Sequence, residues 1–188
     1  MQNFRLLRRA MSFTRIIVIA TGLGACTTVS VTPVSAPAPT QSYHAAVVQA
    51  ADQQDPALKY YTTFFREGLV RRLRELNNLT VSDATNGSAT TDTIMVVGTV
   101  TEVDKGSQAL RGFIGFGAGR AHVTATLDLQ GNDGKPLGKL VIRKAYSGGA
   151  GMGGFGDLVD MEELAKQVGE QAAQSLTDWS LGKQIASE

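Results

Sequence analysis

The apolar positions along the chain fall into two long helical patterns with a series of strand patterns between them. Asp55-Pro56 opens the first helix, since Asp caps free amides and Pro fits the first helical position. Leu58, Tyr61, Phe65, Leu69, Leu73 and Leu76 then recur at spacings of three and four, which makes one apolar face. Asn77-Asn78 ends it. A second helix starts at Asp160-Met-Glu-Glu163, an aspartate cap with a Glu three residues on. Leu164, Val168, Ala172, Leu176 and Trp179 mark its inner face.

Between the helices, Leu79 to Ser82 reads as a short strand and Thr93 to Val103 as a long one. Ala121, Val123, Ala125, Leu127 and Leu129 alternate with His122, Thr124, Thr126 and Asp128, the pattern of a half-buried strand. Gly131-Asn-Asp-Gly134 predicts a hairpin turn into a strand over Leu140 to Tyr146. Tyr43 to Gln54 is weakly amphipathic and reads as strand or loop. The expected fold is α+β: an antiparallel sheet of about four strands, with an N-terminal and a C-terminal helix packed on one face.

Ahead of this domain the pattern changes. Ile16 to Ala25 is an apolar run preceded by Arg5, Arg8, Arg9 and Arg15 with no acid among them. It is about half the roughly 20 residues needed to span a bilayer. Charged region, apolar core and small-residue end stand in the order of a secretory signal. Met11 offers a second start site besides Met1. Leu23-Gly24-Ala25-Cys26 resembles the lipobox of bacterial lipoproteins, in which the Cys sulfur is acylated and the chain is cut before it. That resemblance implies cleavage between Ala25 and Cys26, lipidation of Cys26 and a membrane partner through the N-terminal lipid. Thr27 in place of Asp implies, by analogy with Gram-negative lipoproteins, the periplasmic face of the cell outer membrane. Cys26 is the only cysteine, so an internal disulfide is impossible.

The chain therefore divides into a signal peptide (1–25), a tether (26–42) and one domain (43–188). The tether holds Pro33, Pro37 and Pro39 among small residues and has no charge. It is expected to be extended and disordered, reaching on the order of 50 Å at about 3.1 Å per residue.

Of 18 basic residues, four lie in the signal, leaving 14 against 17 acids. This balance gives no reason to expect a nucleic-acid partner. Arg66, Arg71, Arg72 and Arg74 make the first helix basic on its outer face, which reads as a solvated surface. His44 and His122 are the only histidines, so a His-based metal site or triad has little to build from. No cofactor and no catalysis are expected.

Of the 21 glycines, ten cluster in Gly112–Gly119 and Gly148–Gly156. In a meander these two connections share one end of the sheet. Phe113, Ile114, Phe116, Met152 and Phe155 should then converge there. They either plug the end of the core or form an exposed patch for the bilayer or another protein. Gly149-x-Gly151-x-x-Gly154 matches a nucleotide-loop pattern, but no parallel βαβ unit is expected around it.

The runs Gly98–Gly106 and Ala109–Gly119, with Gly-Phe-Gly-Ala-Gly at the centre, resemble the bacterial lipoprotein family named domain of unknown function 4410. The resemblance implies this fold and lipidation, and carries over no catalytic residue. The expected function is non-enzymatic: an envelope assembly or scaffolding accessory that contacts an envelope protein, or another copy of itself, through the glycine-loop edge. The alternative is a small-ligand or glycan-binding module.

Overall fold

The computed structural model describes residues 28–49, 51–83, 91–106, 120–146 and 160–183. Ala25, Cys26, Phe113, Ile114, Phe116, Met152 and Phe155 lie outside them. The elements are β1 (Thr28–Ser35), β2 (Ala45–Gln49), α1 (Pro56–Leu76), β3 (Thr80–Asp83), β4 (Thr93–Asp104), β5 (Ala121–Gly131), β6 (Pro136–Tyr146) and α2 (Met161–Ser180). They form an α+β fold with both helices over a single six-stranded sheet, in the order β1-β6-β5-β4-β2-β3.

Both helices start and stop where local chemistry places them. The Asp55 carboxylate accepts from the Ala57 and Leu58 amides at 2.8 and 3.2 Å. Asn77 sits in the left-handed region at φ +53° and returns its N–H to the Leu73 carbonyl. Asp160 caps α2 by accepting from Glu162 and Glu163. These bonds satisfy amides that a helix cannot pair internally.

The sheet corrects the expectation of about four antiparallel strands. It has six, and it is mixed: β2 runs parallel to both β3 and β4. The β2–α1–β3 path is a parallel crossover, which the sequence reading did not anticipate. It does not involve the Gly149–Gly154 pattern, which precedes α2. The second correction concerns the tether. Residues 28–35 form β1, paired antiparallel with β6 from Thr28↔Ala145 to Ser35↔Lys139. Pro33 is accommodated because β1 is an edge strand, where a missing amide donor breaks no interior ladder. Val31 is buried in the common core, and Val29 packs against it. Farther on, Trp179 of α2 donates its indole N–H to the Pro37 carbonyl at 2.8 Å, and Tyr43 stacks on its ring. The segment read as a free tether is thus built into the domain from residue 28 onward.

The core lies between the helices and one sheet face. Phe65, Leu69 and Leu73 of α1 and Leu164, Val168, Ala172 and Leu176 of α2 are all essentially inaccessible. They meet Ile94, Val96 and Val100 of β4, the odd-numbered residues of β5 from Ala121 to Leu129, and Leu140 and Ile142 of β6. The helices cross at glycines. A Cβ on Gly169 would stand 2.0 Å from the Phe65 carbonyl oxygen, and one on Gly68 would stand 2.1 Å from that of Lys166. Only residues without side chains allow the two backbones to approach so closely.

β2 stops at Gln49, opposite Val97, while β4 continues to Asp104, so among the described residues more than half of β4 has no strand on that flank. Its polar backbone groups find side chains instead. Val100 N–H donates to the Thr62 hydroxyl at 3.0 Å, and the Gln53 amide donates to the Val100 carbonyl at 2.7 Å. Thr62 in turn donates to Gln53 at 2.6 Å, closing the loop of bonds. A buried backbone donor left unpaired would cost roughly 1–3 kcal/mol.

Candidate functional site

The sheet face opposite the helices carries a polar cluster at the end of β4 and the start of β5. Its geometry depends on an irregularity. Val100 pairs with Ala125, but the register then shifts, and Glu102 pairs with Thr124. Thr101 is the extra residue, and its hydroxyl donates to the Thr124 carbonyl. In unbroken register Glu102 would oppose Val123 and face the core. The bulge turns Glu102 and Asp104 onto the open face and returns Val103 to the side of Val123.

There the two carboxylates meet His122, which is buried apart from 9% of its side chain. Glu102 Oε1 lies 3.2 Å from His122 Nε2, a close approach outside hydrogen-bond alignment, and Asp104 Oδ2 lies 3.8 Å from Nδ1. Thr124 donates to the other Glu102 oxygen at 3.1 Å. Asp104 also accepts from the Gly106 amide at 2.7 Å. The imidazole first, and the Thr124 hydroxyl second, hold the Glu102 carboxyl below the usual carboxylate range. Arg143 of β6, opposite Thr124, acts weakly in the same direction.

This arrangement fastens β4 to β5 beside the first glycine-rich connection. It contains no cysteine or serine nucleophile. Among the described residues no group of three His, Cys, Asp or Glu is placed to hold a metal ion. Among them, too, no helix is long and apolar enough to cross a membrane.

In sequence, Phe113, Ile114 and Phe116 belong to the β4–β5 connection, and Met152 and Phe155 to the β6–α2 connection. The strands that bound these connections are described. Asp104 pairs with His122, and Ala121 with Tyr146. Both connections therefore leave the same end of the sheet, as the strand order predicts, and the Gly131–Gly134 turn closes the other. The structure adds a third participant: Thr28, the first residue of β1, pairs with Ala145 at that same end.

The basic face of α1 is partly neutralised within the fold. Arg71 pairs with Glu170 of α2, and Arg72 with Glu75. Sequence reasoning set His122 aside as an isolated strand residue. The signal that could have found its cluster is Glu102-Val-Asp104, two acids one residue apart on a strand and hence on one face.

Residues 27–150 match the family model described as "Domain of unknown function (DUF4410)". The match spans well over half of the chain, and the chain belongs to this family. No curated protein matches it in sequence. Among solved structures, the PelC dodecamer from Paraburkholderia phytofirmans is 16% identical, covering 85% of this chain and 100% of that one, with a TM-score of 0.45. A DUF330 protein from Xanthomonas campestris is 13% identical over 77% of this chain and 87% of its own, with a TM-score of 0.47. A minor lipoprotein from Acinetobacter baumannii is 14% identical over 74% and 92%, with a TM-score of 0.38. These are distant likenesses, and no function passes from them to this chain.

Proposed function

We propose that the protein is a lipoprotein held at the periplasmic face of the outer membrane by acyl chains on Cys26. There it serves, without catalysis, as an assembly or scaffolding accessory of the envelope. The observation that carries this reading is the order of the N-terminal chain. Four arginines, an apolar run and small residues lead to Cys26, and the first strand begins only two residues later. A signal ending directly at a folded domain fits acylation of that thiol. The accessory role is supported by the character of the described polar cluster, whose members hold one another rather than converge on an open reacting centre. Contact with an envelope protein seated in that membrane, or with another copy beside it on the lipid surface, is assigned to the glycine-loop end and its Phe113 and Phe116.

Two measurements test the reading. Metabolic labelling with palmitate should mark the protein, while Cys26→Ser should be unlabelled and leave the membrane fraction. A Cys26→Ser form that still sediments with membranes removes the anchor from the account. Separately, Phe113→Ser with Phe116→Ser should abolish co-purification of partners at an unchanged melting temperature. If the double variant unfolds the domain, these rings belong to the core and not to a contact surface.

A further inference from the structure

We propose that the sheet end bearing Thr28, Asp104, Ala121 and Tyr146 lies against the bilayer, so that the protein sits on the lipid surface in one fixed orientation. This rests on acylation of Cys26, and adds to it a direction. A free tether would let the domain stand off the membrane with any face presented. The structure removes that freedom, because β1 starts at Thr28 and is paired along β6 to Ser35. Two peptide steps separate Cys26 from Thr28, a reach of about 7 Å at most. That is roughly the depth of one headgroup layer. Whatever end of the sheet carries Thr28 must therefore rest at the membrane surface.

Register identifies that end. Thr28 stands beside Ala145, Tyr146 beside Ala121, and His122 beside Asp104. Both glycine-rich connections depart from this same row, and in sequence they carry Phe113, Ile114, Phe116, Met152 and Phe155.

Two groups at this end suit an interface. Lys105 is exposed where the first connection begins, and a cation there favours anionic headgroups. Tyr60, half exposed near the start of α1, bonds to Glu162 in the first turn of α2. The opposite end of α2 holds Trp179 against Tyr43, so the α2 start lies on the anchored side. Tyrosine, with an apolar ring and a polar tip, is favoured where lipid meets water. Glu102 and Asp104 flank His122 at this end while remaining 55% and 56% exposed, and Asp160 and Glu163 stand exposed at the start of α2.

β5 spans the distance between the two ends, roughly 35 Å for its length as a strand. The two ends can therefore be told apart by a short-range probe. The full-length acylated protein, with Lys105→Cys or Lys135→Cys carrying a fluorophore, is reconstituted into phosphatidylethanolamine–phosphatidylglycerol vesicles containing nitroxide-labelled lipid. Acylation leaves the introduced thiol as the only one to label. The Lys105 probe should lose most of its emission, and the Lys135 probe, beside the hairpin turn, should keep it. Equal quenching, or stronger quenching at Lys135, in protein that floats with the vesicles overturns the orientation and leaves the anchor standing. Protein that fails to float overturns both.

Discussion

The two ends of the sheet are closed in different ways. At the hairpin end the connection between β5 and β6 is short, and each of its groups has a local task. Gly131 accepts from the Gly134 amide at 2.9 Å, Gly134 occupies φ +77°, and Asp133 binds the Lys135 amide and ammonium. Nearby, Trp179 and Tyr43 form an apolar plug over the core. At the other end the connections run over residues 105–120 and 147–160. The strands there are held by polar links instead: Thr62 and Gln53 on Val100, and His122 between Glu102 and Asp104. One end is sealed by packing. The other is fastened from its sides, and the two glycine-rich connections depart from it.

The largest effect that would break this contrast is expected from Trp179→Ala. It removes the plug, the bond to Pro37 and the stack on Tyr43, and should cost about 3–5 kcal/mol in urea denaturation. Thr62→Val tests the polar fastening at the opposite end. It leaves the Val100 amide and the Gln53 side chain without their partner, for a loss of roughly 1–3 kcal/mol by the same measurement. Gly134→Val forces a branched side chain into the left-handed region and should cost about 1–2 kcal/mol without disturbing the distant cluster.

The smallest effect belongs to Glu102→Gln, and pH reveals it. The Glu102 carboxyl is held below its ordinary value in the folded protein. Its ionised form therefore adds stability above the unfolded value of 4.5, and this contribution disappears as pH falls through the folded value. Wild type should exceed Glu102→Gln slightly at neutral pH, and the two urea midpoints should converge in acid. A constant gap across that window would remove the carboxylate's role in the cluster.

Much of this organisation is legible in the residues before any coordinates. Both helices follow from Asp caps and apolar spacing, and β4, β5 and β6 from alternation and a Gly-Asn-Asp-Gly turn. What was hidden had specific causes. Val29 and Val31 alternate with Ser30 and Thr32, yet Pro33, Pro37 and Pro39 make the same stretch read as a tether. Only pairing with β6 shows that it is an edge strand, and edge strands tolerate proline. β2 is short, and its parallel partners are distant in sequence. Gly68 and Gly169 look like weak points in helices, because the reason for them is another helix. The His122 cluster needed the bulge at Thr101, which no hydrophobic pattern announces.

The claim that one end of this molecule meets the envelope while the other faces away can be tested in intact cells. A photo-crosslinking amino acid is placed at Lys105 or at Lys135, whose side chain is 81% exposed, and adducts are identified by mass spectrometry. The account predicts lipid or envelope-protein adducts from Lys105 and none from Lys135. Equal yields from the two positions, or adducts from Lys135 alone, would contradict it.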